Sequence, residues 1–493
     1  MICVTIGRTR HRMITAEHAA LVERGAKLVE LRLDWVSRQP DLNRLLKERP
    51  GPVVVTCRRP NDGGRWSAGE DARRMLLRQA IVMGAEYVDL EADIAKAVPR
   101  YGATKRIISH HDFQGTPDNL EEIHEALCQC DPDIVKLVTM AQSPADNVRL
   151  LKLVASAKVP TIGFCMGELG LASRLLCCKY GSPFTYATFS RDRVLAPGQI
   201  PFDDMKSLYR IDFMDSETEV FGVVGDPIAH SHSPLIHNAA LQHEGMNAVY
   251  LPLRIPDGEL PKTLDAYSAL DIRGYSVTIP HKQGAAAYAR FQDPIVEETG
   301  AANTLYKDRT DRWFAANTDY EAALASLRLG LDGRDLAGLR VLMLGAGGVA
   351  RAIGLGVSRA GCVLTVTNRH KQRAAELAEQ LGCTFVTWEN RGSVECDILI
   401  NCTPVGMWPE MNETPFPQHW LRDHMLVFDT IYNPENTLLL KEARDHDCRT
   451  VSGLEMFIRQ AAAQFEVFAN RPAPLDVMRE ALRRGISAVQ RSE

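Results

Sequence analysis

The sequence of 493 residues has little that would point to a membrane, a nucleic acid or a metal. No apolar run reaches the roughly 18 residues that a membrane-spanning helix needs. Lys and Arg total 57 against 62 Asp and Glu, and this near balance argues against a dedicated binder of nucleic acid or anionic membranes. None of the 12 cysteines forms a Cys-x-x-Cys pair, so neither a zinc site nor a disulfide framework is expected.

The composition is that of a globular protein, with 45% hydrophobic and 24% charged residues. A chain of this length predicts about three domains. Cysteines scattered through apolar runs are typical of a reducing compartment. Residues 2–6 begin a strand at once, which leaves no room for a targeting peptide. We therefore expect a cytoplasmic, multidomain enzyme.

Short β-rich runs recur through the first half and alternate with helix-like stretches such as 68–84 and 145–158. The runs lie at residues 2–6, 27–33, 52–57, 86–90, 106–109, 133–138, 160–165 and 184–189. Eight such strands predict a (β/α)8 barrel, although an open doubly wound sheet has the same periodicity. In a barrel, the chemistry lies at the carboxyl ends of the strands.

Charged side chains interrupt several of these strands near their ends. Glu30, Arg32 and Asp34 alternate with apolar residues, so they share one face and are expected to point into the barrel. Lys136 stands alone among apolar neighbours. Desolvation favours the neutral amine, which attacks ketones, although a structural ion pair is the plainer interpretation.

A histidine pair, His110 and His111, follows the fifth strand at the same end of the barrel. Adjacent residues of a strand cannot both point inward. An amine that forms an imine beside an imidazole that moves a proton suits chemistry α to a ketone.

Residues 1 to about 212 resemble type I 3-dehydroquinate dehydratase. The matching motifs are Glu30-Leu31-Arg32, Thr56-Cys57-Arg58, His110-His111-Asp112-Phe113, Lys136, Met166-Gly167-x-x-Gly170-x-x-Ser173-Arg174 and Ala196-Pro197-Gly198-Gln199. The resemblance implies that Lys136 forms an imine with the substrate ketone. His111 would remove the α-proton, protonate the departing hydroxyl and help to hydrolyse the product imine.

The same resemblance implies how the substrate is held. Arg174 and Arg58 would bind its carboxylate and ring hydroxyls, and Glu30, Arg32 and Gln199 would complete the pocket. Two positions depart from the family pattern. Asp62 replaces a glutamate that orients the histidine, and Leu195 replaces a serine, which removes a possible hydroxyl contact.

The second half follows a short polar linker at residues 215–219 and contains a dinucleotide fingerprint. A strand at 340–344 leads into Gly345-Ala346-Gly347-Gly348-Val349-Ala350 and then a helix at 351–360. Its glycines let backbone N–H groups approach a pyrophosphate. The next strand, at 363–367, ends in Asn368-Arg369-His370-Lys371-Gln372-Arg373, with three cations and no acid. This favours the 2′-phosphate of NADP, although a solvated basic helix start is the plainer interpretation.

A segment rich in serine and histidine, residues 225–238, precedes these motifs. Ser231 and Ser233 could hold a carboxylate. Metal binding by His230, His232 and His237 is disfavoured, because no acidic or cysteine ligands cluster nearby.

With Thr278, Lys282, Ala302-Asn303-Thr304 and Asn317-Thr318-Asp319, this segment makes residues 220–493 resemble shikimate dehydrogenase. The resemblance implies that Lys282 and Asp319 form a catalytic pair. Lys282 would stabilise and protonate the ketone oxygen while hydride comes from NADPH, and Asp319 would hold Lys282. The matching substrate positions are Ser231, Ser233, Thr278, Asn303, Tyr432 and Gln460. The matching cofactor positions are Gly345, Ala346, Gly347, Gly348, Val349, Asn368, Arg369, Arg373, Thr403 and Gly453. His370 departs from a frequent threonine.

The expected fold is α/β throughout, with three parts. A barrel at 1–215 precedes a substrate domain at 219–322, which 453–493 completes, and a Rossmann NADP domain is inserted at 323–452. Because the two families share one metabolite, we expect a bifunctional enzyme acting on the small molecules 3-dehydroquinate and 3-dehydroshikimate, with no nucleic acid, membrane or metal. The alternatives are a quinate/shikimate dehydrogenase fusion that uses NAD and a non-catalytic sensor of pathway metabolites. The oligomeric state is left open.

Overall fold

The structure, a computed structural model, describes residues 1–229 and 231–490, without the side chains of 486–490. His230 and residues 491–493 of the expected substrate domain therefore lie outside the described residues. The chain forms two compact units. The first comprises Met1–Gly222, Ile228–Pro234 and Gly245–Ile272, and the second comprises Val223–Pro227, Leu235–Glu244 and Arg273–Glu493. This division follows packing and differs from the three expected segments, whose boundaries stay a prediction.

Eight parallel strands form the barrel of the first unit. They are β1 (Ile2–Ile6), β2 (Leu28–Arg32), β3 (Val53–Thr56), β4 (Tyr87–Glu91), β5 (Lys105–His111), β6 (Ile134–Met140), β7 (Thr161–Met166) and β8 (Thr185–Thr188). The hydrogen-bonded order is β7-β6-β5-β4-β3-β2-β1-β8, so each strand from β1 to β7 lies beside the next, and β1 pairs with β8. Among the described strands no ladder joins β7 to β8, so the barrel is nearly closed. The predicted barrel is confirmed, since a doubly wound sheet would reverse its strand order.

Six helices accompany these strands: α1 (His11–Glu23), α2 (Leu42–Leu46), α3 (Glu70–Val82), α4 (Leu120–Cys128), α5 (Ala145–Ser156) and α6 (Leu171–Leu176). Strand β5 is longer than the sequence suggests and includes both histidines. Its register places Ser109 beside Lys136 and His111 beside Val138. Ser109 and His111 are two residues apart, so they share the face on which Lys136 lies.

A second sheet has the order β10-β9-β11-β13-β14-β12. Its strands are β9 (Glu219–Gly225), β10 (Ala248–Arg254), β11 (Ile272–Val277), β12 (Phe291–Gln292), β13 (Thr304–Lys307) and β14 (Trp313–Ala316). Its helices are α7 (Ser233–His243), α8 (Leu260–Tyr267), α9 (Lys282–Tyr288), α10 (Pro294–Thr299) and α11 (Asp319–Gly330). Two of these helices begin at residues expected to be catalytic, because α9 starts at Lys282 and α11 at Asp319.

The third sheet is parallel, with the order β17-β16-β15-β18-β19-β20. Its strands are β15 (Arg340–Leu344), β16 (Val363–Asn368), β17 (Thr384–Thr387), β18 (Ile398–Asn401), β19 (Leu426–Asp429) and β20 (Arg449–Val451). Its helices are α12 (Gly348–Arg359), α13 (Lys371–Leu381) and α14 (Leu438–Asp445), and α15 (Gly453–Ala469) and α16 (Leu475–Gln490) follow.

This third sheet has the predicted Rossmann-like architecture. Alternate residues of β15 pack on opposite faces, with Val341 and Met343 in one hydrophobic cluster and Leu342 and Leu344 in another. The strand order reverses between β15 and β18, and nucleotides bind at such a switch point. Among the helices that the structure describes, none is long and apolar enough to cross a membrane.

Candidate active sites

The lysine that the sequence singles out in the barrel is buried among charges rather than isolated. Lys136 is 4% exposed, and its Nζ donates to Oδ2 of Asp89 at 3.1 Å. Oε1 of Glu30 lies 3.8 Å from the same nitrogen, and the ring centre of Tyr186 also lies 3.8 Å away. A buried ammonium is tolerable only with such partners. The structure therefore contains the ion pair that is the plainer interpretation of Lys136, and Lys136 also lines a cavity.

His111 faces the same cavity and contacts an arginine. Nη1 of Arg58 lies 3.2 Å from Nδ1 of His111. Burial, together with the nearby Arg58 and Lys136, holds the pKa of His111 well below its ordinary value. The imidazole is therefore neutral near pH 7. Because a guanidinium has only donors, Nδ1 accepts from Arg58 and the ring proton lies on Nε2.

Asp62 is not the residue that contacts this histidine. Its Oδ2 accepts from Nε of Arg59 at 2.7 Å, on the rim of the same cavity. The contact with Nδ1 of His111 comes instead from Arg58. The role that the resemblance implies for Asp62 stays a prediction, and in this structure its carboxylate pairs with Arg59.

Arg174 is a buried cation without a carboxylate partner among the described residues. Only 1% of the residue is exposed, and burial lowers its pKa to about 10. Nη2 donates to the carbonyl of Pro197 at 3.4 Å, Nε has no hydrogen-bond partner, and the guanidinium lies 4.3 Å from the ring centre of Phe164. A buried, uncompensated guanidinium on a cavity wall is suited to binding an anion.

The remaining predicted pocket residues meet in this cavity. It is lined by Thr5, Glu30, Arg32, Arg58, Asp62, Gly63, His111, Phe113, Lys136, Val138, Phe164, Met166, Arg174, Tyr186, Leu195, Ala196 and Gln199. Arg32 forms a two-point pair with Asp34, with N···O distances of 2.9 and 2.8 Å. Oε1 of Gln199 accepts from the backbone N–H of Leu195 at 2.8 Å, which fixes the segment that carries Leu195.

Sequence reasoning missed Asp89, a buried acid that contacts two residues of the cavity wall, Lys136 and Arg58. It is 2% exposed and accepts from Arg58, Lys136 and Ser109. The available signal was the same as for Glu30 and Lys136, an ionisable residue inside an apolar strand. Tyr186, on β8, was missed because an aromatic residue in a strand gives no such signal.

The second candidate site, in the second unit, is centred on Lys282 and Asp319. Nζ of Lys282 donates to Oδ2 of Asp319 at 2.5 Å, and both residues are less than a tenth exposed. Nδ2 of Asn303 donates to Oδ1 of Asp319 at 3.0 Å and lies 3.4 Å from Oε1 of Gln460. Four of the predicted residues therefore meet. The asparagine orients the carboxylate, which in turn fixes the lysine.

Other predicted substrate positions are placed as follows. The backbone N–H of Thr278 donates to the carbonyl of Val224 at 3.0 Å, and the ring of Tyr432 stacks on Phe457 at 4.0 Å between centres. In the first unit, the N–H of Ser233 donates to Oγ of Ser231 at 3.3 Å. This contact forms a turn at the start of α7.

The glycine loop after β15 fits a dinucleotide. Gly345 has φ +112°, and a Cβ there would lie 2.8 Å from the carbonyl oxygen of Cys402, so only glycine suits this turn. Ala346 and Gly347 follow it, and Val349 lies in the first turn of α12. A Cβ on Gly348 would lie 3.0 Å from Cδ of Lys282, which places the start of α12 against the candidate catalytic lysine. Helix N-termini of this kind bind phosphate.

The basic residues after β16 fit the additional phosphate of NADP. Arg369 and Arg373 are exposed, and neither forms an ion pair within the described part of the chain. Asn368 donates to the carbonyl of His370 at 3.3 Å and shapes the turn between them. Residues 368–373 of this turn include no Asp or Glu, the residue types that bind the ribose 2′-hydroxyl of NAD.

A buried network supports the loop that carries Thr403. Oδ1 of Asn401 accepts from Oγ1 and N–H of Thr403 at 2.7 and 2.9 Å, and Nδ2 of Asn401 donates to Asp429 at 3.0 Å. Gly453 starts α15, where a Cβ would lie 2.4 Å from the carbonyl oxygen of Thr430. Within residues 1–229 and 231–490, no cluster of His, Cys, Asp and Glu could hold a metal ion.

The barrel with its lysine–histidine cavity and the nucleotide fold with its lysine–aspartate pair define an α/β enzyme with two active sites. Family models match both parts. Type I 3-dehydroquinase matches residues 2–216, and the shikimate dehydrogenase substrate-binding domain matches 223–305. The model of the shikimate 5'-dehydrogenase C-terminal domain matches residues 453–483. The model of coenzyme F420-dependent NADP oxidoreductase matches residues 340–427.

Individual relatives agree with these models. The chain is 36% identical to the chloroplastic bifunctional 3-dehydroquinate dehydratase/shikimate dehydrogenase of Arabidopsis thaliana, over 97% of this chain and 83% of that protein. It is 39% identical to shikimate dehydrogenase (NADP(+)) of Moorella thermoacetica, over 55% of this chain and 95% of the relative. A crystal structure of shikimate dehydrogenase with NADP+ aligns at a TM-score of 0.52 and 33% identity, over 55% of this chain and 96% of the other. The chain belongs to the bifunctional 3-dehydroquinate dehydratase/shikimate dehydrogenase family.

Proposed function

We propose that this chain dehydrates 3-dehydroquinate to 3-dehydroshikimate in its barrel and reduces 3-dehydroshikimate to shikimate in its second unit with NADPH. The observation that carries the proposal is one cavity lined by His111 and by the buried Lys136 and uncompensated Arg174. Dehydration through an imine requires an amine to form the imine and a neutral imidazole to move the proton. A hydroxyketone that carries a carboxylate also requires a site that binds this anion. The activities of the relatives support both reactions.

In the dehydratase reaction, Arg174 binds the substrate carboxylate and Lys136 forms an imine with the ketone. The imine acidifies the neighbouring C–H, and His111 removes this proton and then protonates the departing hydroxyl, which leaves as water. Water then hydrolyses the product imine, which releases 3-dehydroshikimate and restores the amine of Lys136. Since Arg58 holds Nδ1 of His111, proton removal requires this contact to loosen. The substrate hydroxyls, to which Arg58 is expected to bind, supply a reason for it to move.

In the reductase reaction, NADPH supplies the hydride, and the residues of the chain position the ketone and provide the proton. Lys282 donates a hydrogen bond and then a proton to the ketone oxygen, while Asp319 keeps the ammonium in place. Asn303 and Gln460 hold the ring hydroxyls. The glycine loop and Arg369 and Arg373 hold the cofactor phosphates.

The dehydratase half is tested by trapping. Borohydride added with 3-dehydroquinate should reduce the imine and leave a stable adduct on the peptide that contains Lys136, detected by mass. The dehydrogenase half is tested by NADPH oxidation with 3-dehydroshikimate. No adduct, or no NADPH oxidation, would refute the corresponding half.

We also propose a cytoplasmic location, supported by the cysteines. All twelve are free thiols, as is typical of a reducing compartment. Cell fractionation with antibodies to the chain would test this, and recovery from an oxidising compartment would contradict it.

A further inference from the structure

The carboxylate of Asp89 connects the two reactive side chains of the barrel. Its Oδ2 accepts from Nζ of Lys136 at 3.1 Å and from Nη2 of Arg58 at 2.6 Å. Its Oδ1 accepts from Oγ of Ser109 at 2.6 Å. The other amino group of Arg58 contacts His111. The proposed dehydration uses Lys136, Arg58 and His111 and assigns no role to Asp89.

We propose that Asp89 is the counter-ion of the cationic imine that Lys136 forms with the substrate, and that it favours this protonated iminium over the neutral imine. The inference rests on the proposed dehydratase activity. It adds a residue that contacts the reacting nitrogen and that the resemblance did not assign.

The charge balance of the reaction explains why one carboxylate suits both states. The ammonium of Lys136 and a ketone give an iminium and water. The N–C bond forms, the C–O bond breaks, and two of the three ammonium protons leave with the oxygen. The nitrogen therefore carries one positive charge before and after the step. A fixed anion 3.1 Å from that nitrogen stabilises both cations without reorganisation.

Glu30, the other acid near Lys136, is less suited to this task. Its Oε1 lies 3.8 Å from Nζ, beyond hydrogen-bonding distance, and accepts from Thr56 at 2.8 Å. Its Oε2 accepts from Thr5 at 2.8 Å. Asp89 makes the only hydrogen bond to Nζ among the contacts of the described residues. The face of Tyr186 also favours a cation at this nitrogen.

Asp89 is held in its ionised form. Burial alone raises the pKa of a carboxylate, but Arg58, Lys136 and Ser109 together lower the pKa of Asp89 below its ordinary value. When the amine becomes part of the imine, Arg58 still contacts Oδ2. The acid thus keeps its charge at the point in the reaction where the iminium needs it.

The test is the initial rate at which borohydride traps 3-dehydroquinate on Lys136 in the full chain. D89N keeps the shape of the side chain and removes its charge, and we expect trapping and kcat to fall about 10-fold to 100-fold, as for a lost hydrogen bond to a charged group. S109A removes one hydrogen bond from Asp89 but leaves its charge, and we expect a loss of less than about threefold. Trapping by folded D89N at the wild-type rate would overturn the inference.

A second comparison guards against misfolding, since D89N removes the shorter of the two ion pairs of Arg58 among the described residues and leaves the one with Glu91, at 3.5 Å. R58Q/D89N removes both charges of the buried pair, and R58Q alone is its matched control. We expect trapping in the double variant to be about 10-fold slower than in R58Q, and equal rates would overturn the inference. If the wild-type chain gives no adduct, the proposed dehydratase activity itself fails, so the two failures are distinguishable.

Discussion

Nη1 of Arg58 lies 3.2 Å from Nδ1 of His111, so the imidazole of the barrel site contacts a cation at this nitrogen and not a carboxylate. A carboxylate there would accept a hydrogen bond from Nδ1–H and leave Nε2 as a base. A guanidinium does the opposite, because it donates to Nδ1 and leaves the ring proton on Nε2. The barrel as described is therefore set for proton donation to a leaving hydroxyl. Removal of the α-proton requires Arg58 to move away from the ring.

This arrangement predicts that Asp62 contributes little to dehydration. We expect D62N to change kcat/KM for 3-dehydroquinate by less than about threefold, because Asp62 forms a half-buried ion pair with Arg59 and does not contact His111. R59Q removes the same pair from the other side and serves as the control. A loss of about 100-fold in D62N, with R59Q unaffected, would show that Asp62 acts on the histidine after all.

The two activities should be separable by single substitutions. We expect K136A to abolish dehydration and leave NADPH-dependent reduction nearly intact, because the imine needs the amine. K282A should lower reduction by about 10²-fold to 10⁴-fold, the usual contribution of a positioned acid, and spare dehydration. Paired steady-state assays on each folded variant provide the measurement. Loss of both activities in either variant would contradict independent sites.

Cofactor preference should depend on the basic turn after β16. We expect R369S to raise the KM for NADPH about 10-fold to 100-fold, since a charge-assisted hydrogen bond contributes about 1.5–3 kcal/mol. The KM for NADH should change by less than about twofold. R309S removes an exposed arginine elsewhere and should alter neither value. A wild-type preference for NADH would contradict this interpretation and would favour the quinate-type alternative.

Acid sensitivity should arise in part from His237, which is 1% exposed. Burial lowers its pKa to about 3, so between pH 6.5 and 3 the unfolded chain binds a proton that the folded chain does not. Neutral His237 contributes fully to the free energy of unfolding above pH 6.5. As the pH falls from 6.5 towards 3, this free energy decreases by about 1.4 kcal/mol per pH unit. H237Q should reduce this slope in denaturant titrations. The exposed His424, as H424Q, should leave the slope unchanged.

The fold was largely predictable from the sequence, and the reasons are local. Strands such as β6 and β15 are apolar runs with turn residues at both ends, and the glycine loop between β15 and α12 has a fixed spacing. The end of β5 was harder to place. His110 and His111 are polar and suggest a loop, but pairing with β6 extends the strand through them.

The candidate sites were predictable as sets of residues but not as contacts. The residues expected in the barrel pocket do line one cavity, because strand alternation determines which side chains point inward. Which acid meets which base depends on distances between strands, which one sequence does not contain. The sequence therefore left open that Arg58, not Asp62, meets His111, and gave no reason to single out Asp89.

Arg174 has a consequence for what the barrel releases as well as for what it binds. Dehydration leaves the carboxylate of the ring untouched, so the proposed product satisfies this buried guanidinium as well as the substrate does. The anion site therefore raises the affinity for substrate and product equally and does not favour either one. Discrimination between substrate and product must come from the groups that face the changed part of the ring, namely the lysine, the histidine and the arginine beside it.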